Sequence, residues 1–318
     1  MSQKNALRCG AFMIAGAILL RLTIGVWEPA LETNQKVTAN QVLLFLQTGR
    51  VVYDQPSLTY TTPQPEPEPE PLVTKAVFSE SDQALIQLRN TSDKSANVSA
   101  ALLQTLQWDL CTQQPTVLII HSHGSESYQN TEAYTESASY RTQDTAYNMI
   151  SIGELLAQEL EQAGIGVIHD KTMYDVPSYN DAYVRARTAI EQHLAENPSI
   201  CMVLDLHRDA AEDSSGNQIG YTVEAPEGTA AQLMLVLGTN HENWQENLSL
   251  ATKLQVQLEK LVPGICRPVN VRAQRYNQDL CAGTVLVEVG AAGNTRQEAL
   301  LAASYLAQAV ISLAAGTS

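Results

Sequence analysis

Three apolar runs in this chain end in side chains that bind metal ions. The run VLII (117–120) leads into HSHGSESY, which brings His121, His123 and Glu126 together. MVLDL (202–206) leads into His207, Arg208 and Asp209, and TVLVEVG (284–290) carries Glu288 just ahead of the small-residue loop GAAGNT. His123, Glu126 and His207 offer two neutral imidazoles and one carboxylate. That is the donor set of a catalytic zinc, which keeps its fourth position open for water. Zinc lowers the pKa of such a water to about 7, and a carboxylate outside the ligand set must take the proton as hydroxide attacks a carbonyl. Glu288 fills that place, because burial among Val, Leu and Gly would raise its pKa and suit it to general base or acid work. One zinc ion is therefore the expected cofactor.

Glu126 is the favoured third ligand because HGSE puts both side chains on one tight loop. Glu132, Glu136 and Asp144 lie in the same connection and remain open as alternatives. Asp144 also precedes a predicted helix, where it would suit an N-terminal cap. His121 falls on the opposite face from His123 if the strand continues, which makes it a partner of a ligand or a structural residue. His169 and His193 are assigned no role, and His241, in TNHENW, could line a substrate groove. No GxSxG elbow follows any strand, which disfavours a serine nucleophile. The five cysteines fall at no CxxC spacing, so a zinc ribbon is not written here; Cys201 and Cys281 read as buried free thiols, with a bridge between them as the alternative.

The elements that must position these residues alternate. TVLII (116–120) is a short β-branched run of the kind buried on both faces of a parallel sheet. SIGELLAQELEQAG (151–164) carries an apolar stripe and ends on Gly164, an amphipathic helix with a glycine stop. Strands are expected at 165–170, 199–206, 231–238 and 284–290, and helices at 182–196, 247–262 and 295–314. The alternation predicts an α/β three-layer sandwich around a mostly parallel, twisted sheet. Sites in such sheets form beyond the carboxyl ends of the strands, where these candidates lie.

The chain has 318 residues and a formal charge of −15, which repels phosphate backbones and excludes nucleic acid as a partner. Arg267, Arg272 and Arg275 form a local basic exception. Lys4 and Arg8 precede GAFMIAGAILLRLTIGVW, so residues 10–30 are expected to be an uncleaved membrane anchor with 1–9 in the cytoplasm. Its Arg21 would cost roughly 2.5–3.5 kcal/mol on insertion scales unless it snorkels. Within 31–100, TTPQPEPEPEPLV is a stiff charged spacer extending roughly 3.1 Å per residue. Residues 101–318 are then the extracytoplasmic catalytic domain.

VLIIHSHGSESY, RTQDTAYNMISIGELLAQELEQAGIGVIHD, PSYNDAY, VLDLHRDA and LVEVGAAGNTRQEA together resemble the stage II sporulation protein P family of cell-wall hydrolases, from about Pro115 to Ala309. More distantly, the order HxxE, His, Glu resembles zinc carboxypeptidases and zinc N-acetylmuramoyl-L-alanine amidases. The resemblance implies an amidase that cuts between the muramic lactyl group and the first L-alanine of peptidoglycan, with an added cross-link endopeptidase activity. It implies a place in spore engulfment at the cell membrane, beside a lytic transglycosylase and a membrane scaffold protein. It also implies His123, Glu126 and His207 as metal ligands and Glu288 as the catalytic carboxylate. Arg208 would bind a stem-peptide carboxylate or polarise the carbonyl, and Asp209 would orient an imidazole. Ser122 and Gly124 stand where relatives often carry threonine, and neither is a ligand. The competing readings are a zinc carboxypeptidase, with NVRAQR (270–275) seizing a free carboxylate, and a wall-binding tether without turnover.

Overall fold

The computed structural model describes residues 76–106, 108–112, 114–129 and 139–314, all within one compact unit, Pro69–Ser318. The expected anchor (10–30) and the Pro-Glu spacer lie outside the described residues. Among those described, no helix is long and apolar enough to cross a membrane.

A short 3-10 helix, Glu80–Leu85, leads into β1 (Leu88–Asn90), α1 (Val98–Leu103) and β2 (Val117–Ile120). There follow α2 (Met149–Gln162), β3 (Val167–His169), α3 (Ala182–Glu196) and β4 (Met202–Asp209). A separate hairpin, β5 (Thr222–Ala225) and β6 (Gly228–Ala231), precedes β7 (Leu233–Gly238) and α4 (Trp244–Leu261). The fold closes with β8 (Val269–Arg272), β9 (Thr284–Ala291) and α5 (Arg296–Ala314). Residues 76–100, expected as the end of a spacer, are packed: β1 pairs with β8, and Ala76 N donates to Ser312 O.

The sheet runs β1-β8-β7-β9-β4-β2-β3, and every neighbouring pair is parallel except β7 with β9. The fold is thus a mixed α/β sheet of mostly parallel strands. Pleating sends alternate residues to opposite faces. Val117, Ile119, Leu204 and Leu206 enter the main core with Leu156 of α2, Leu254 of α4 and Leu306 of α5. Leu118, Ile120 and Val203 pack on the other face against Ala186 and Ile190 of α3. Helices on both faces keep the backbone and side chains of β2 and β4 away from water, which explains why these strands read as unbroken apolar runs.

Beyond α3 that second face is covered more thinly. Met234, Val236 and Leu286 meet only partly buried Tyr183 and Tyr276. The register His207↔Glu288 between β4 and β9 places both of those side chains on this thinly covered face. Helix α2 begins two residues before the expected start, because the Asn148 side chain caps it by accepting from Ile150 N. It ends before Gly164, whose φ of 81° suits the expected glycine stop.

Candidate metal centre

The chain leaves β2 in a turn closed by Glu126 N donating to His123 O at 3.1 Å. Ser127 N to Tyr140 O and Thr142 N to Ser125 O then zip this loop to the returning strand of the connection. Asp175 accepts from both the amide and the hydroxyl of Ser125. These bonds hold His123 and Glu126 under the carboxyl end of β4, which delivers His207.

Donor atoms of His123, Glu126 and His207 all lie within 4.8 Å of one another, and all three residues are buried. His207 Nδ1 is 3.4 Å from Glu126 Oε2, and His123 Nδ1 is 3.8 Å from Glu126 Oε1. The two imidazole centroids are 5.0 Å apart with ring planes at 89°. His207 turns its other nitrogen, Nε2, to within 3.0 Å of Asp205 Oδ1. Asp205 in turn accepts from Ser122 N and Ser122 Oγ. A carboxylate behind the distal nitrogen of an imidazole is the arrangement that fixes tautomer and ring orientation in metal sites. Asp205→Asn is therefore expected to weaken divalent-ion affinity by 10–100-fold, read by competition with a chelating dye.

Electrostatics agree with this geometry. Burial would push the Glu126 carboxyl up, but His207 and the Arg208 guanidinium beside it prevail and hold it at about 2. Burial and the neighbouring His207 charge bring His123 down to about 4, so it is a neutral imidazole with a lone pair to give. Burial opposes a charge on His207, yet Asp205 and Glu126 outweigh it and raise its pKa well above the usual range. An ion bound here would replace that proton and answer the same two carboxylates. Glu288 differs from Glu126: burial, reinforced by Glu126 and Asp209, pushes it up to about 8. Its Oε2 is enclosed without a hydrogen-bond partner among the described residues. Two imidazoles, one ionised carboxylate, a carboxylate behind His207 and the Glu288 carboxyl alongside fit a divalent ion such as zinc.

The remaining expected residues lie elsewhere. Arg208 is 4% exposed and lies beneath the loop rather than on the open side. Its Nε donates to Ser127 O at 2.9 Å, its Nη2 to Tyr140 O at 2.7 Å, and its Nη1 is 3.7 Å from Glu126 Oε1. Its backbone N also donates to Glu126 Oε2 at 3.2 Å. Asp209 follows a register shift in β4 and pairs with Arg267 at 2.7 Å rather than with an imidazole. Asp144 is exposed and accepts from Ala146 N, closing its own turn away from the cluster. His121 points to the opposite face, with Nδ1 3.3 Å from Leu206 O and Nε2 2.9 Å from His169 Nε2. Gly153 permits that pair, since a Cβ there would lie 2.6 Å from both Nε2 atoms. Both nitrogens of His241 are enclosed without a hydrogen-bond partner among the described residues. Glu132 and Glu136 lie outside the described residues. Cys201 and Cys281 carry free thiols.

Several residues around the cluster escaped sequence reading. Tyr179 stacks on His123 at 4.1 Å, and the Arg141 guanidinium lies 4.0 Å over the other partner of that stack, the Tyr179 ring. Arg141 Nη2 also comes within 3.9 Å of Glu126 Oε1. Tyr183, in the first turn of α3, meets both imidazoles. Burial and the carboxylates of Asp205, Glu288 and Glu126 raise its pKa, so it stays a protonated phenol. Asp205 had an available signal, because it is two residues before His207 on one strand and so shares its face.

Fold and site together define an α/β protein with a buried two-histidine, one-glutamate cluster that could hold a divalent ion. The chain belongs to the stage II sporulation protein P (SpoIIP) family, whose model matches residues 35–311. It is 27% identical over 238 residues to stage II sporulation protein P of Bacillus subtilis (strain 168), covering 68% of this chain and 57% of that protein. The chain therefore spans a little over half the length of that relative. Among solved structures it is similar to an N-acetylmuramoyl-L-alanine amidase from Clostridium difficile 630, at 16% identity and a TM-score of 0.41, covering 63% of this chain and 97% of that one. It is also similar to the amidase AmiC2 of Nostoc punctiforme, at 15% identity and a TM-score of 0.39, covering 64% of this chain and 94% of that one.

Proposed function

We propose that this chain is a zinc-dependent peptidoglycan hydrolase of sporulation that cleaves the amide bond between N-acetylmuramic acid and L-alanine. The reading extends to cross-link endopeptidase activity and to work in engulfment beside a lytic transglycosylase and a membrane scaffold protein. The single observation that supports it most is the buried His123–Glu126–His207 cluster with Glu288, one oxygen of which lacks a hydrogen-bond partner among the described residues, beside it.

An ion held by His123, Glu126 and His207 would supply a water of pKa near 7 and positive charge for the carbonyl oxygen. The protein's own residues do the rest. Glu288 takes the proton of the attacking water and returns it to the leaving nitrogen. The Asp205 carboxylate stands 3.0 Å from His207 Nε2, an ion-pair contact that favours the ring orientation turning Nδ1 to Glu126. Arg208 keeps Glu126 ionised and pins the loop that carries it. Arg208 is thus a positioning residue, and Asp209 is tied to Arg267. With an anchor at 10–30 and a stiff spacer, the folded domain, which includes residues 76–100, would work in a shell near the membrane, where effective substrate concentration is high without tight binding.

Digestion of purified sacculi, with chemical identification of new ends, tests this. Free lactyl groups with N-terminal alanine are expected. Release of terminal D-alanine alone would mean a carboxypeptidase, and no new ends would mean a wall-binding tether.

A further inference from the structure

We propose that the hydroxyl of Tyr183 donates a hydrogen bond to the carbonyl oxygen of the scissile amide as charge develops on it. The proposal rests on the hydrolase reading above. A donor at that oxygen would add to the charge an ion supplies, and Arg208 cannot be that donor because its N–H groups are turned to backbone carbonyls and Glu126. Tyr183 is placed differently. Its ring stands edge-on to His123, with centroids 5.2 Å apart at 79°, and lies nearly parallel to His207 at 6.1 Å and 13°. It therefore borders both imidazoles on the thinly covered face that also carries Glu288. Its hydroxyl has no hydrogen-bond partner among the described residues.

A second observation concerns what fixes it. Tyr276 and Asn277 are consecutive non-glycine residues at φ of 52° and 56°, a left-handed pair in which Tyr276, unlike Asn277, is of a type that rarely adopts it. Buried Gln278 enforces it here: Nε2 donates to Val236 O, and Oε1 accepts from Gly238 N, each at 2.8 Å. The strained turn brings the Tyr276 ring to 5.9 Å from Tyr183 and lets Asn277 Nδ2 donate to Tyr183 O at 2.8 Å. The left-handed conformation, tolerated by Asn277 but costly for Tyr276, thus goes with holding Tyr183 from two sides. Strain of this kind concentrates at functional sites, where a group must be oriented before the substrate arrives.

The test is Tyr183→Phe in the full chain, which keeps the ring and removes only the hydroxyl. With solubilised muropeptides as substrate, kcat is expected to fall about 100-fold, the scale seen when one oxyanion donor is lost. KM should stay within about threefold, since the interaction forms mainly in the transition state. Bound metal and the urea unfolding midpoint should match the wild type. A kcat within about threefold of wild type would overturn the assignment, as would a raised KM at unchanged kcat or a loss of bound metal. Wild-type protein that hydrolyses no amide bond in these substrates would remove the hydrolase reading and this proposal together. Active wild type with an indifferent Tyr183→Phe would remove this proposal alone.

Discussion

Glu288→Gln is expected to bind as much metal as the wild type and to hydrolyse purified sacculi at least about 100-fold more slowly, the lower end of what a positioned acid–base group contributes. The substitution is nearly isosteric. It replaces a carboxyl pushed up to about 8, with one oxygen unpartnered, by an amide that is neutral at every working pH. Such a change removes a desolvated acid without stranding a partner, so the fold should tolerate it. It leaves His123, Glu126 and His207 untouched and takes away a carboxyl that can exchange a proton beside them. The relevant measurement pairs metal content with the rate of release of new lactyl ends. Activity within tenfold of the parent would refute a proton-transfer role for Glu288, and loss of metal would place it among the ligands instead.

Arg208→Leu should destabilise the protein by about 3 kcal/mol or more, because breaking a buried pair by removing one partner leaves the other charge uncompensated. The uncompensated group is Glu126, and the carbonyls of Ser127 and Tyr140 lose their donor at the same time. An unsatisfied buried carbonyl adds roughly 1–3 kcal/mol of its own. Arg208→Lys should recover only part of the loss, since a point charge with a flexible stem cannot meet donors spread around a planar fork. Urea unfolding of the three proteins reads the difference. If Arg208 instead served the substrate, Arg208→Leu would keep its unfolding midpoint and lose turnover alone.

These contrasts show which parts of the molecule were legible before folding. His123, His207 and Glu288 stand out as candidates because a strand buried on both faces is a continuous apolar run in which a polar residue near its end is conspicuous, while Glu126 is favoured only by its place on the tight HGSE loop. The same logic identified the helices of the main core, whose apolar stripes face one sheet. Arg208 and Asp209 could not be assigned from the motif alone. Residues at this end of β4 are divided between faces by strand pleating and a register shift, so adjacent letters go to different surroundings. Asp144 was ambiguous for a local reason, namely that the cap of α2 is Asn148, four residues on. The antiparallel junction of β7 with β9 and the short strands β1 and β8 leave little trace, since four or fewer residues carry no clear period. Tyr179 and Tyr183 owe their places to long-range packing, and nothing in PSYNDAY announces that two rings will meet His123.

The central claim is that one divalent ion is shared by side chains from separate segments. Metal analysis of the purified protein, with His123→Ala and His207→Ala alongside, tests it most directly. Close to one equivalent of zinc is expected in the parent, and loss of nearly all of it in each variant, with folded structure retained. Metal content unchanged by either substitution, or a parent that binds no divalent ion at all, would contradict it.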